Sequence, residues 1–355
     1  MIKMTSYERF KRTFEHKETD RVVMWDFPWP GTMRRWYKEG IPEGMSFEEY
    51  FDFDVVSRIV VDNSPQYPER VIREDDEEIV RLTNWGGTEH MLKYHDATPE
   101  YLDFTIRDMD TWLKAKERIQ PTRNRVPWGA LKKNYRKWRE EGHWILGDTW
   151  YSFNQLTSFV MGMEPFLIAM IEEPELCIDM LNHTLDVNLT LLDMAWDAGY
   201  TFDMLNVRDD MGFNNAQFFS LALFRKIIRP VHQKAVDWAH KKGIRVRLHS
   251  CGYIMPLLPD ILDIGFEALH GLEVKAGMNA VEVKRNYGDR LVLHGGLPAT
   301  QWLDIEGATA LIKQRMPILM ESGGYIFATD HSIPHSVPLK NMEEIVRLAK
   351  EIGRY

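Results

Sequence analysis

Ile244-Arg245-Val246-Arg247-Leu248-His249-Ser250-Cys251-Gly252 is the stretch on which the reading of this chain turns. It reads as a short buried strand that ends on a histidine, a cysteine and a glycine. In a strand, residues i and i+2 face the same side, so His249 and Cys251 can point at one ion. A soft thiolate beside an imidazole is half of a Zn²⁺ site. The plain alternative is a partly buried histidine next to a small, inert cysteine. A Cys251 nucleophile with His249 as its base is disfavoured, because side chains two apart on one strand run parallel rather than towards each other.

Working outward, the same rhythm repeats. Strand-like runs at 21–27, 54–61, 143–146, 202–207, 268–272, 290–293 and 324–328 end on polar residues. Helical runs follow most of them, at 174–199, 220–242 (broken near Pro230), 255–262, 279–286, 305–320 and 341–352. Alternating strands and helices joined by short loops imply parallel strands. The expected fold is α/β, a single (β/α)8 TIM-type barrel over residues 1–355, with a β-hairpin excursion at about 65–120. The hairpin is expected on either side of Trp85-Gly86-Gly87, with strands at 78–84 and 88–94. No glycine-rich dinucleotide fingerprint follows any strand, which weakens a Rossmann reading.

In a barrel of this kind the active site lies at the C-terminal ends of the strands. Asp26, Asp148, Asp209, Asp210, His249, Cys251, Glu273, His294, Asp330 and His331 collect there. A catalytic zinc takes three protein ligands and keeps one open position. His249, Cys251 and His331 would supply three, with Asp330 and Glu273 in reserve. Asp209, Asp210 and Glu273 are the expected catalytic carboxylates; helix capping and a salt bridge to Lys275 are their plainer roles. Trp25, Asp26, Trp150, Tyr151 and His294 are expected to bind substrate, with Trp29 as a further wall. The glycines of His294-Gly295-Gly296 are expected to leave room for a bulky ligand.

Composition narrows the function. A formal charge of −9 over 355 residues argues against a nucleic-acid or anionic-membrane surface. The first residues, from Met1-Ile2-Lys3-Met4, lack the apolar run of a signal peptide, and no stretch of ~18 apolar residues is present. Two cysteines make no disulfide framework, so a cytoplasmic setting is expected. Twelve tryptophans and nineteen methionines exceed what a core needs and fit an aromatic-lined pocket for an organic ligand. The run Asp237-Trp238-Ala239-His240-Lys241-Lys242-Gly243 is read as a solvated helix end stopped by Gly243, not as a corrinoid-carrying element.

Taken together, several stretches resemble the uroporphyrinogen decarboxylase superfamily. They are Asp209-Asp210-Met211-Gly212, Leu248-His249-Ser250-Cys251-Gly252, Leu272 to Met278, Tyr287-Gly288-Asp289-Arg290 with His294-Gly295-Gly296, and Gly323-Gly324-Tyr325-Ile326 with Asp330-His331-Ser332-Ile333. Glu8-Arg9-Phe10 and the strand before Asp26 are similar as well. The resemblance implies a single (β/α)8 barrel and one of two activities. The decarboxylase arm binds a tetrapropionate macrocycle through an Arg-rich N-terminal motif. Here Trp25-Asp26-Phe27-Pro28-Trp29-Pro30 stands in that place, although Asp62 would match the catalytic aspartate of that arm. The other arm comprises zinc-dependent, cobalamin-linked methyltransferases, which this chain resembles in His249-x-Cys251. Their third ligand is a cysteine, and His331 stands at the matching position. The resemblance therefore implies a methyl group moving between a small organic substrate and a corrinoid supplied by a separate protein, or a thiol acceptor. A metal-independent decarboxylase and a non-catalytic binding barrel are the alternatives, and a homodimer is one oligomeric state the sequence allows.

Overall fold

The protein is described here by a computed structural model covering residues 3–93 and 98–355. Met1 and Ile2, and Tyr94 at the end of the expected second hairpin strand, lie outside the described residues. Eight strands form one parallel sheet: β1 (Val23–Met24), β2 (Val56–Val60), β7 (Trp144–Thr149), β8 (Met204–Arg208), β9 (Arg245–Ser250), β10 (Ala268–Gly271), β11 (Val292–Gly295) and β12 (Tyr325–Phe327). Their order is β1-β12-β11-β10-β9-β8-β7-β2, with helices between successive strands. This is the expected barrel.

The sheet's two end strands, β1 and β2, are joined by a polar seam. The Asp54 amide donates to the Met24 carbonyl at 2.9 Å, and the Asp54 carboxylate accepts the Met24 amide at 2.9 Å. Arg9 and Arg21 donate to that same carboxylate at 2.9 and 2.7 Å, and Arg9 also forks onto Asp20 at 2.6 and 2.8 Å. Helix Ser6–Phe14 carries Arg9 to the seam, its start fixed by a reciprocal Thr5–Glu8 capping box. The same helix plugs the barrel's N-terminal end: Phe10 stacks on Trp144 at 5.3 Å and meets Trp25 edge-on at 5.7 Å. A fully buried aromatic such as Phe10 contributes about 2–3 kcal/mol through the water it sheds. The floor is therefore dry, and the opposite end is left for chemistry.

The excursion is larger than the expected hairpin. Strands β4 (Glu78–Leu82) and β5 (Gly87–Leu92) form that hairpin, but β3 (Arg70–Glu74) and β6 (Glu100–Phe104) flank it in a four-stranded antiparallel sheet. β3 is exposed along its whole length, so it shows no alternation that a reader of the sequence could use. The break near Pro230 is real and has a clear cause. A proline has no amide to donate, and the chain widens to a π turn over Phe224–Ile228 before helix Arg229–Lys241 resumes. That helix contains most of the Asp237–Gly243 run and stops at Lys241, as expected. No helix among the described residues is long and apolar enough to cross a membrane.

Candidate functional site

Three donors converge at the C-terminal end of β9. The His249 Nε2, Cys251 Sγ and an Asp210 carboxylate oxygen all lie within 4.8 Å of one another. His249 Nε2 is 3.6 Å from Cys251 Sγ and 3.4 Å from Asp210 Oδ1. Local backbone explains the meeting. The loops after β8 and β9 touch at Gly212 and Gly252; a Cβ on Gly252, whose φ is +78°, would stand 2.1 Å from the Gly212 carbonyl carbon. Only glycine allows that approach. It lets the Cys251 amide donate to Asp210 Oδ1 at 2.8 Å, while Asn154 Nδ2 holds Oδ2 at 3.1 Å.

An imidazole, a thiol and a carboxylate are a donor set that suits zinc. Burial, with Asp210 and Glu273 nearby, pushes the Cys251 thiol well above its ordinary pKa, so a thiolate there needs a cation beside it. Burial likewise lowers His249 to about 4, against the pull of Asp210, which keeps the neutral, ligating imidazole at neutral pH. The residues present fit a bound metal ion.

Beside the donors is a cavity of about 330 Å³. Three arginines (Arg58, Arg208, Arg247) and three histidines (His249, His270, His331) line it, with Phe27 and Ser332. Strand register arranges several of these. Arg208, His249, His270 and His294 are successive partners across β8, β9, β10 and β11. His249 Nδ1 meets His270 Nδ1 at 2.6 Å, and the His270 and His294 rings are 4.1 Å apart. His294 Nε2 donates to the Trp25 carbonyl at 2.7 Å, so its Nδ1 accepts from Arg247 at 2.7 Å. With His249 Nε2 turned to the donors, its Nδ1–H donates to His270, which fixes the His249 ring.

The structure departs from several sequence expectations. His331 lines the cavity but is not one of the three clustered donors; its side chain is exposed and stacks on Trp29 at 6.0 Å. Asp210 takes the third place. Asp209 is fully buried behind the site, where its carboxylate accepts the Asn154 amide at 2.8 Å and lies 3.0 Å from His232. Tyr151 continues that inner chain, 2.9 Å from His232 Nδ1. Glu273 braces the loop that bears Cys251 by accepting the Gly252 amide at 2.7 Å, and Lys275 pairs with it at 3.0 Å. Asp330 similarly accepts the Val274 and Ala299 amides at 3.0 and 2.9 Å.

None of the expected substrate-binding residues lines this cavity. Trp25 and His294 are buried beneath it, in stacked contact at 4.7 Å. Asp26 is closed by Thr329 and Phe27 amides at 2.7 and 2.8 Å. Trp150 lines a separate depression with Asp62, Trp85 and Phe159, although Arg208 reaches across its ring at 4.8 Å. Gly295 and Gly296 make room for protein rather than ligand: added Cβ atoms would stand 2.5 Å from the Thr329 carbonyl oxygen and 2.5 Å from the Ala280 Cβ. The arginines and His270 escaped the sequence reading. A signal for His270 exists in the repeat Leu248-His249-Ser250, Leu269-His270-Gly271, Leu293-His294-Gly295 at three consecutive strand ends.

The barrel and its strand-end cluster define an α/β enzyme-type site, and comparison with known sequences gives the family. The sequence model described as uroporphyrinogen decarboxylase (URO-D) matches residues 153–352, more than half the chain, so the chain belongs to the URO-D family. A curated relative, the methylcobamide:CoM methyltransferase MtaA of Methanosarcina barkeri, is 26% identical over 196 residues, covering 55% of each protein. The same enzyme from M. barkeri strain Fusaro is 25% identical over the same length. The chain thus spans about half the length of the curated relatives it matches. Among solved structures, a methyltransferase from Methanosarcina mazei superposes with a TM-score of 0.65 at 17% identity, covering 98% of this chain and 99% of the other. That likeness bears on the fold.

Proposed function

We propose that this chain is a methyltransferase that moves a methyl group between a small organic substrate and a corrinoid carried by a separate protein. The observation that carries the reading is the His249, Cys251 and Asp210 cluster on the wall of a cavity at the barrel mouth. These three residues would hold zinc. When bound, that ion supplies Lewis acidity to a substrate heteroatom and keeps a thiol substrate in its thiolate form. The methylcobamide:CoM methyltransferase activity of the M. barkeri relatives supports the methyl transfer and the use of a corrinoid.

The chain's own residues do the rest. Asn154 and the Cys251 amide aim the Asp210 carboxylate at the donors. His270 holds the His249 ring with Nε2 outward. Glu273 fixes the loop that bears Cys251 through the Gly252 amide. His331, on the cavity wall, is placed to give a proton or hydrogen bond to the atom that loses the methyl. A volume of about 330 Å³ is at the small end for ligand sites and suits a small substrate better than a macrocycle.

The test pairs metal content with transfer to free cob(I)alamin, followed by its absorbance. About one zinc per chain is expected in the wild type, and Cys251→Ala should lose it. Methyl transfer should fall by about three orders of magnitude, the loss of ~4 kcal/mol of transition-state stabilisation. Equal zinc in both proteins, or undiminished transfer by the variant, ends the proposal.

A further inference from the structure

We infer that the ligand of this cavity is an organic anion, whose carboxylate or sulfonate is held by Arg58, Arg208 and Arg247 while its methyl-bearing end meets the metal-ligand cluster. The second half rests on the methyl-transfer reading; the first does not.

Arg208 pairs with Asp148 at 2.6 Å, and Arg58 approaches the same oxygen at 3.7 Å. Arg247 is only 3% exposed, yet no carboxylate among the described residues lies within ion-pair distance of it. Its partners are neutral: Asn206 Oδ1 at 2.9 Å, His294 Nδ1 at 2.7 Å and the face of Trp25 at 4.2 Å. Asp148, which also accepts from Asn206 at 2.5 Å, is the one carboxylate that pairs with any of the three guanidiniums among the described residues. The metal site does not redress this. A divalent ion held by an Asp210 carboxylate and a Cys251 thiolate is neutral as a unit. Burying cations with too little counter-charge is costly: burial and the Arg58 and Arg208 charges work against the Arg247 charge, and the more distant Asp148 offsets them only in part. An anionic ligand removes that cost, and planar guanidinium forks suit a carboxylate or sulfonate.

Register gives the ligand a length. Arg208 is the cross-strand partner of His249, and Arg247 lies two residues before it on β9. Two residues of strand span about 7 Å. The acid and the methyl-bearing atom are therefore a few bonds apart, as across a para-substituted ring.

The probes are 4-methoxybenzoate, 4-methoxybenzenesulfonate and the neutral isostere 4-methoxybenzamide, titrated calorimetrically into zinc-loaded and metal-free protein. At least one anion should bind ten-fold or more tighter than the amide, weaken with added salt, and do so with and without metal. The preferred anion distinguishes a carboxylate from a sulfonate ligand. Arg208→Gln and Arg58→Gln should each weaken the anion about ten-fold without changing the amide; Arg58 is partly solvent-exposed, so its variant guards against misfolding. The amide binding as well as both anions, no probe binding, or both variants binding the anion like the wild type would overturn the inference. Anion preference in a protein that transfers no methyl group to cob(I)alamin would leave this inference standing while the functional reading fell.

Discussion

Charged residues meet inside this barrel in two places, and the two are built differently. At the seam between β1 and β2, Arg9 and Arg21 face Asp20 and Asp54, and positive and negative charges match. At the mouth, Arg208 and Arg58 approach Asp148 alone, and Arg247 beside them has only neutral partners. The seam is finished by the chain alone. Its ions satisfy one another and the backbone groups beside them, and nothing further is wanted there. The mouth is finished only when something else arrives. The contrast separates charges that hold a fold together from charges that wait for a ligand.

Breaking the seam should have the largest effect. Asp54→Ala leaves two arginines facing no Asp54 carboxylate and removes a hydrogen bond to Met24. A loss of about 3–5 kcal/mol is expected in denaturant melts, because a buried pair broken on one side strands its partner. A variant as stable as the wild type would erase the distinction between seam and mouth.

Asp26 sharpens the comparison because it is a buried carboxylate near the mouth with no cation. Burial raises it to about 7, opposed by the Thr329 and Phe27 amides that donate to it. Folded protein therefore keeps this proton over a range where unfolded chain has lost it. The sign follows: this contribution to stability is fully present below about pH 4, falls as pH rises towards 7, and is flat beyond. The change is on the order of 4 kcal/mol. Asp26→Asn, melted across the same pH range, should flatten that slope; an unchanged slope assigns it to other groups.

The smallest effect tests how finely the mouth is tuned. His270→Gln removes the ring that accepts from His249 Nδ1. Zinc affinity, measured by competition with a chelator, should drop by about ten- to a hundred-fold with little change in melting temperature. An unchanged affinity would remove His270 from the site; a collapse in stability would place it among the seam-like, structural residues.

Much of this was legible in the chain before folding. Strand 244–248 and the helices around it were placed to within a few residues, because apolar period and turn residues are local signals. His249 and Cys251 were found for the same reason: two residues apart on a strand is a statement about one strand only. Asp210 was read as a catalytic carboxylate but not as the partner of that pair, since its approach depends on Gly212 and Gly252 touching across two loops. Trp25, Tyr151 and His294 were expected at substrate and were found sealed beneath it or behind it. An aromatic or histidine at a strand end carries no mark of which layer it will occupy.

What the sequence determined by itself was the alternation of strand and helix, the closed parallel barrel that follows from it, and the strand that bears the imidazole and the thiol. What only the tertiary structure decided was company: Asp210 beside Cys251, His270 behind His249, and three arginines from three strands around one cavity. Period and propensity are encoded over a few neighbouring residues. Contacts between strands depend on register, tilt and the close approach of loops, and those are fixed only when the whole sheet has curled.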